Sequence, residues 1–174
     1  MNPIRKPTAR CRMLLAIPLL AAALLSSACG YRSDGLYPTH VRTVAVPIPQ
    51  SREFRRELEF RLAEALIKQI ELDTPYKVVD RHRADTILEA EISQVRQTGY
   101  APDFVTNLPR TKILSLIVSF KWKDLRTGEV LLERRNFIDT RTYISAVGET
   151  EYTGMNQVID RMAERIVEQM QTPF

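Results

Sequence analysis

The sequence predicts an α/β (α+β) two-layer sandwich: a mainly antiparallel or mixed sheet of about four strands, with two helices on one face. Three observations predict it. Lys112–Lys123 places Leu114, Leu116, Val118, Phe120 and Trp122 on one side and Ser115, Ser119, Lys121 and Lys123 on the other, the period of a half-buried strand. Ser51–Glu71 repeats apolar residues at spacings of three and four, through Phe54, Leu58, Leu62, Ala65, Leu66 and Ile70. Met155–Met170 does the same through Val158, Ile159, Met162 and Ile166. An amphipathic helix needs a sheet face to cover, and two helices on one face is the economical arrangement.

The chain opens with Arg5, Lys6, Arg10 and Arg12, then an apolar run, Met13–Leu25, then Ser26, Ser27, Ala28 and Cys29. A basic head, a short apolar middle and a small-residue cleavage site are the parts of a secretory signal peptide. The run is too short for a bilayer, which takes about 20 apolar residues. Leu25–Cys29 resembles the lipobox of bacterial lipoproteins, with Ser26 where an aliphatic residue is usual. That resemblance makes Cys29 the lipidated first residue of the mature chain. Each buried acyl methylene contributes about 0.8 kcal/mol, so more than one chain makes a lasting anchor. Gly30 is not the Asp that retains lipoproteins in the inner membrane, which favours the outer membrane. The expected organisation is a signal peptide over 1–28, a lipidated tether over 29–39 and one domain over 40–174.

Residues 1–28 hold four of the 25 basic residues and none of the 21 acidic ones, so the remainder is formally neutral. Global attraction to nucleic acid is not indicated, and any basic site must be local. Cys11 leaves with the signal, so no disulfide is expected in the mature domain.

The elements follow in order. Val41–Ile48 reads as a first strand, ended or edged by Pro47 and Pro49. In Ser51–Glu71, Ser51 is the expected cap, Glu57–Arg61 and Glu64–Lys68 are i, i+4 pairs, and Phe60, Ala63 and Ile67 widen the stripe. Tyr76–Asp80 is a short β-prone segment, and Arg81–Arg83 a turn. Asp85–Thr98 is a long strand, with Leu88, Ala90 and Ile92 inward and Glu89, Glu91 and Ser93 outward. Gly99–Pro109 reads as a loop with two prolines and a glycine. Asp124–Gly128 is a hairpin turn, Gly128 taking positive φ. Glu129–Thr140 is the last strand, its alternation failing at Glu133-Arg134-Arg135, which a bulge or an edge position explains. Arg141–Gly154 is a connector, and Thr153 the expected cap of the second helix.

Catalytic groups are few. His40 and His82 lie in polar, turn-like segments, and no Cys/His metal set, phosphate loop or nucleophile elbow is present. No cofactor, metal or catalytic residue is expected. Two features suggest binding instead. Lys121, Lys123, Arg134 and Arg135 cluster around one hairpin and suit phosphate or carboxylate groups; the alternative is cations that guard an exposed strand against aggregation. Phe104 and Leu108, in the Gly99–Pro109 loop, either enter a partner or fold back on the core.

Cys29-Gly30-Tyr31, the strand at Val41–Ile48, the helix Ser51–Glu71, the long strands and the closing helix around Asp160–Ile166 together resemble the LPS-assembly lipoproteins, the LptE-like family. The resemblance implies a non-enzymatic outer-membrane lipoprotein. Such a protein helps a large LptD-like β-barrel translocon assemble, plugs its lumen and supports lipopolysaccharide insertion at the cell surface. Val44-Ala45-Val46, Tyr76-Lys77-Val78-Val79 and Ala84-Asp85 also look like curli-secretion and TolB N-terminal-type domains. The alternative they imply is a secretion- or pilus-related envelope lipoprotein. A lipoprotein hydrolase is the third and weakest class.

Overall fold

The computed structural model describes residues 37–38, 40–53, 57–102, 109–144 and 150–171, with backbone alone at 100–102 and 109–110. All of these lie within the compact unit Asp34–Phe174. The expected signal peptide and Cys29 lie outside the described residues.

The elements are β1 (Thr43–Ala45), β2 (Gln50–Ser51), α1 (Leu58–Asp73), β3 (Lys77–Val78), β4 (Thr86–Pro102), β5 (Pro109–Asp124), β6 (Val130–Ile144) and α2 (Glu151–Glu168), with a 3-10 turn at Arg81–Arg83. The sheet runs β3-β1-β4-β5-β6, with β2 also on β4. β1 is parallel to β3 and β4, and β2 to β4, while β4–β5 and β5–β6 are antiparallel. The fold is therefore the expected sandwich with a mixed sheet, of six strands rather than about four. Pro47 and Pro49 are the reason for part of that count. They cannot donate to a ladder, and the expected Val41–Ile48 strand survives only as β1, with β2 rejoining β4 beyond them.

Four boundaries differ from the sequence reading. Helix α1 starts at Leu58, because Ser51 pairs opposite Ile92 in β2 and its Oγ accepts the Glu53 amide at 3.2 Å in a local turn. Phe54 lies outside the described residues. Phe60 is 57% exposed rather than part of the buried stripe; at 100° per residue it stands about 200° from both Leu58 and Leu62. β4 and β5 extend through Gly99–Lys112 to a final pair, Pro102 opposite Pro109, so only residues 103–108 remain of the expected loop. β6 continues past Thr140 to Ile144. α2 begins at Glu151, capped by Thr150, whose Oγ1 accepts the Thr153 amide at 3.2 Å.

One core holds the layers together. Leu62, Leu66 and Ile70 of α1 and Val158, Ile159, Met162 and Ile166 of α2 pack on Leu88, Ile92, Leu114, Leu116, Val118 and Phe120. Leu114, Leu116, Val118, Phe120 and Trp122 are all buried, as the alternation requires. Three register shifts bend the long strands: at Ser93 in β4, and at Leu131 and Arg135-Asn136 in β6. The broken alternation at Glu133-Arg134-Arg135 thus has both expected causes, a bulge and an edge strand. Asn136 takes φ 52 there and donates its amide to Ser119 Oγ at 3.2 Å.

Candidate functional site: the bare sheet face

Both helices cover one side of the sheet. The other side is built from cross-strand rows: Glu89–Lys121–Glu133, then Glu91–Ser119, then Gln94–Ile117–Ile138, Arg96–Ser115–Thr140 and Thr98–Ile113–Thr142. Charge is segregated along it. The rows near the Asp124–Gly128 turn carry the carboxylates and lysines. The rows toward the Pro102/Pro109 end are isoleucine, threonine and serine, with Gln94 and Arg96 the exceptions. Ile138 is 49% exposed there, a large apolar group facing outward.

The charged rows floor an open groove of about 750 Å³. Arg52, Arg81, Lys121, Arg134 and Arg135 line it with Glu89, Glu91 and Glu133, an excess of two positive charges. Much of this charge is paired. Glu133 lies between Lys121, Nζ 3.5 Å from Oε2, and Arg135, Nη2 2.9 Å from Oε1. The Arg135 hydrogen bond, with the two cations, holds the Glu133 carboxyl below its ordinary range. Arg52 reaches Glu91 through Nε and Nη2. Such exposed pairs contribute at most about 1 kcal/mol each, so their main effect is to fix side-chain positions.

The hairpin brings Lys121, Arg134 and Arg135 to the groove. Arg134 is exposed, its backbone opposite Phe120, and its Nη1 donates to the Glu133 carbonyl at 3.3 Å. Lys123 sits one row nearer the turn, between Ile87 and Val130, and does not line the groove. Phe104, Leu108 and Cys29 lie outside the described residues. Sequence reasoning missed Arg52 and Arg81, which reach the groove from segments far from the hairpin. It also missed Asp139, a buried carboxylate opposite Leu116 on the helix-facing side, bonded to Arg165 Nη1 at 2.9 Å. An acid at a core-parity position of β6 was the available signal. Among the described residues no cluster of His, Cys, Asp or Glu is placed to hold a metal ion, and no helix is long and apolar enough to cross a membrane.

Comparison with solved structures shows the same fold in several proteins. The chain is similar to lipoprotein B from Nitrosomonas europaea (TM-score 0.56, 15% identity, 80% of this chain and 89% of that one). It is also similar to PelC from Paraburkholderia phytofirmans, solved as a dodecamer (TM-score 0.54, 15% identity, 79% and 95%). A third likeness is CT253 from Chlamydia trachomatis (TM-score 0.53, 16% identity, 74% and 95%). No curated protein matches the sequence. A family model does: LptE, lipopolysaccharide assembly, over residues 41–172, which takes in the six strands and two α-helices of the described residues. The chain belongs to the LptE lipopolysaccharide-assembly family.

Proposed function

We propose that this protein is a non-enzymatic lipoprotein, anchored in the outer membrane through Cys29, that assists assembly of an LptD-like β-barrel translocon, plugs it and supports lipopolysaccharide insertion. The family match over the whole folded domain carries the reading. The bare sheet face supports it. A domain seated in a barrel presents a surface to a wall, and this face is long and uncovered, with five of the eight charged side chains of its groove in ion pairs with one another. The cations of the groove suit acidic lumen groups or lipid phosphates, and those contacts strengthen where water is excluded.

The test is photo-crosslinking in cells. A photoreactive residue is placed at Lys121 and at Ile138 on the sheet face, and at exposed Glu64 on α1. The expected result is one large outer-membrane protein captured from both sheet-face positions. A Glu64 adduct to the same protein fits a lumen that surrounds the domain. No high-mass adduct at any position overturns the plug. Repeated capture of a different envelope assembly moves the assignment to the secretion- or pilus-related alternative.

A further inference from the structure

The two layers of the domain carry unpaired charge of opposite sign. Helices α1 and α2 together hold eight acidic and four basic residues. Glu64, Glu71, Asp160, Glu164 and Glu168 are exposed on them, and among the described residues none of the five is in an ion pair; Lys68 is the exposed cation there that is also in none. On the sheet face the pairing leaves the other sign over. Arg81 and Arg134 are exposed, Lys123 half-buried, and none has a carboxylate partner among the described residues, against one exposed carboxylate likewise without an ion pair, Glu89. Each surface also exposes apolar side chains: Phe60 (57%) and Tyr152 (61%) on the helices, Ile138 on the sheet.

A sheet with helices on one face is one layer short of a three-layer sandwich. A second copy of this chain offers that layer, with the charge the bare face requires. We propose that copies of this chain stack head to tail, the sheet face of one on the helical layer of the next. The contact is heterologous, so each copy keeps one free surface of each kind, and the stack closes into a ring or grows. Opposite unpaired charges orient the encounter. Screening within about 8 Å at physiological salt makes it salt-sensitive. The contact uses the face assigned above to a barrel, so a plugged copy is a monomer; neither reading depends on the other, and the experiments are separate.

The detergent-solubilised full chain is followed by sedimentation velocity at about 50 mM and about 500 mM NaCl. A species larger than the monomer is expected at low salt and is lost at high salt. One variant, Arg81→Glu with Arg134→Glu, reverses the sheet face and keeps the helical layer. Another, Glu164→Lys with Glu168→Lys, reverses the helical layer and keeps the sheet face. Each alone is expected to be monomeric with an unchanged circular dichroism spectrum. An equimolar mixture is expected to associate again, because the unchanged helical layer of the first variant meets the unchanged sheet face of the second, and the two reversed surfaces are complementary in turn. A wild type monomeric at low salt, a salt-insensitive assembly, a variant that still self-associates, or a mixture that stays monomeric overturns the proposal.

Discussion

The ring of Tyr143 lies against the backbone of Gly154, so close that a Cβ on the glycine would sit 3.1 Å from Cδ1 and 3.4 Å from Cγ. Tyr143 is near the end of β6 and Gly154 is in the first turns of α2, so the contact sets how the closing helix meets the edge strand. The ring has little room to yield. It is 2% exposed, its hydroxyl accepts a hydrogen bond from Gln97, and the Lys112 ammonium stands 5.9 Å from its centroid.

Substitution at Gly154 therefore sets two effects against each other. Alanine gains about 1 kcal/mol of helix propensity and loses part of it to the ring, so Gly154→Ala stays within about 1 kcal/mol of wild type. Gly154→Val adds bulk with no free space and loses about 1–3 kcal/mol, the usual range for overpacking. Urea unfolding of the two variants checks this; a Gly154→Val protein as stable as wild type means the helix stands further off.

Facing on β5 gives a second pair. Leu116 is fully buried beneath the helices, and Ser115 beside it faces the bare side. Leu116→Ala is expected to cost about 2–5 kcal/mol and Ser115→Ala close to nothing. Equal, small losses at both positions would reverse the assignment of faces.

Lys112–Lys123 was legible because its period holds over the whole strand with one face buried. Both helices were legible for the same reason. The start of α1 was not, since a serine that caps a helix and a serine that closes a local turn beside a strand offer the same hydroxyl; Ser51 does the second. Gly99 and Pro102 read as loop residues, yet they sit in the ladder, Pro102 at its last pair where no further donor is needed. The groove was half legible. Lys121, Arg134 and Arg135 share a hairpin, which proximity in sequence reveals. Their partial neutralisation by Glu133, and the arrival of Arg52 and Arg81, depend on register and on a bulge, which no local pattern specifies.

Asp85 ties β1 to the start of β4 and makes stability depend on pH. Its Oδ2 accepts the Arg42 and Thr43 amides, each at 3.1 Å, and the Thr43 hydroxyl at 3.0 Å. The Arg42 amide is the first cause of a carboxyl held below its ordinary range, with Thr43 and Arg126 adding to it. A depressed folded-state pKa gives stability that is full above the ordinary carboxylate range and disappears as pH falls through the folded value. Asp85→Asn is expected to lower stability near pH 7 and to lose less than wild type between about pH 7 and about pH 3. Urea titrations at both pH values decide it; parallel losses in the two proteins would remove Asp85 as a source of the acid sensitivity.

Asp139 and Arg165 tie the edge strand to the closing helix. Asp139 is 7% exposed at its side chain and accepts from Arg165 Nη1 at 2.9 Å, with Arg161 Nε at 3.7 Å. Arg165 also donates to the Ile138 carbonyl at 2.8 Å and lies 4.4 Å over the Phe137 ring. It thus covers a backbone acceptor of the edge strand that would otherwise be open to pairing with another chain. Removing the arginine alone leaves a carboxylate in a nearly dry site. Arg165→Met is expected to cost toward the lower end of about 3–5 kcal/mol, because Arg161 still stands nearby. Removing both charges is a different matter. A buried ion pair exchanged for apolar residues of similar volume is often neutral in stability. Asp139→Leu with Arg165→Met is therefore expected to recover most of the loss seen in Arg165→Met. Thermal and urea unfolding of the single and double variants measure the difference. If the double variant is as unstable as the single one, the packing of Arg165 on Phe137 and its bond to Ile138, rather than the charge on Asp139, hold β6 to the helix.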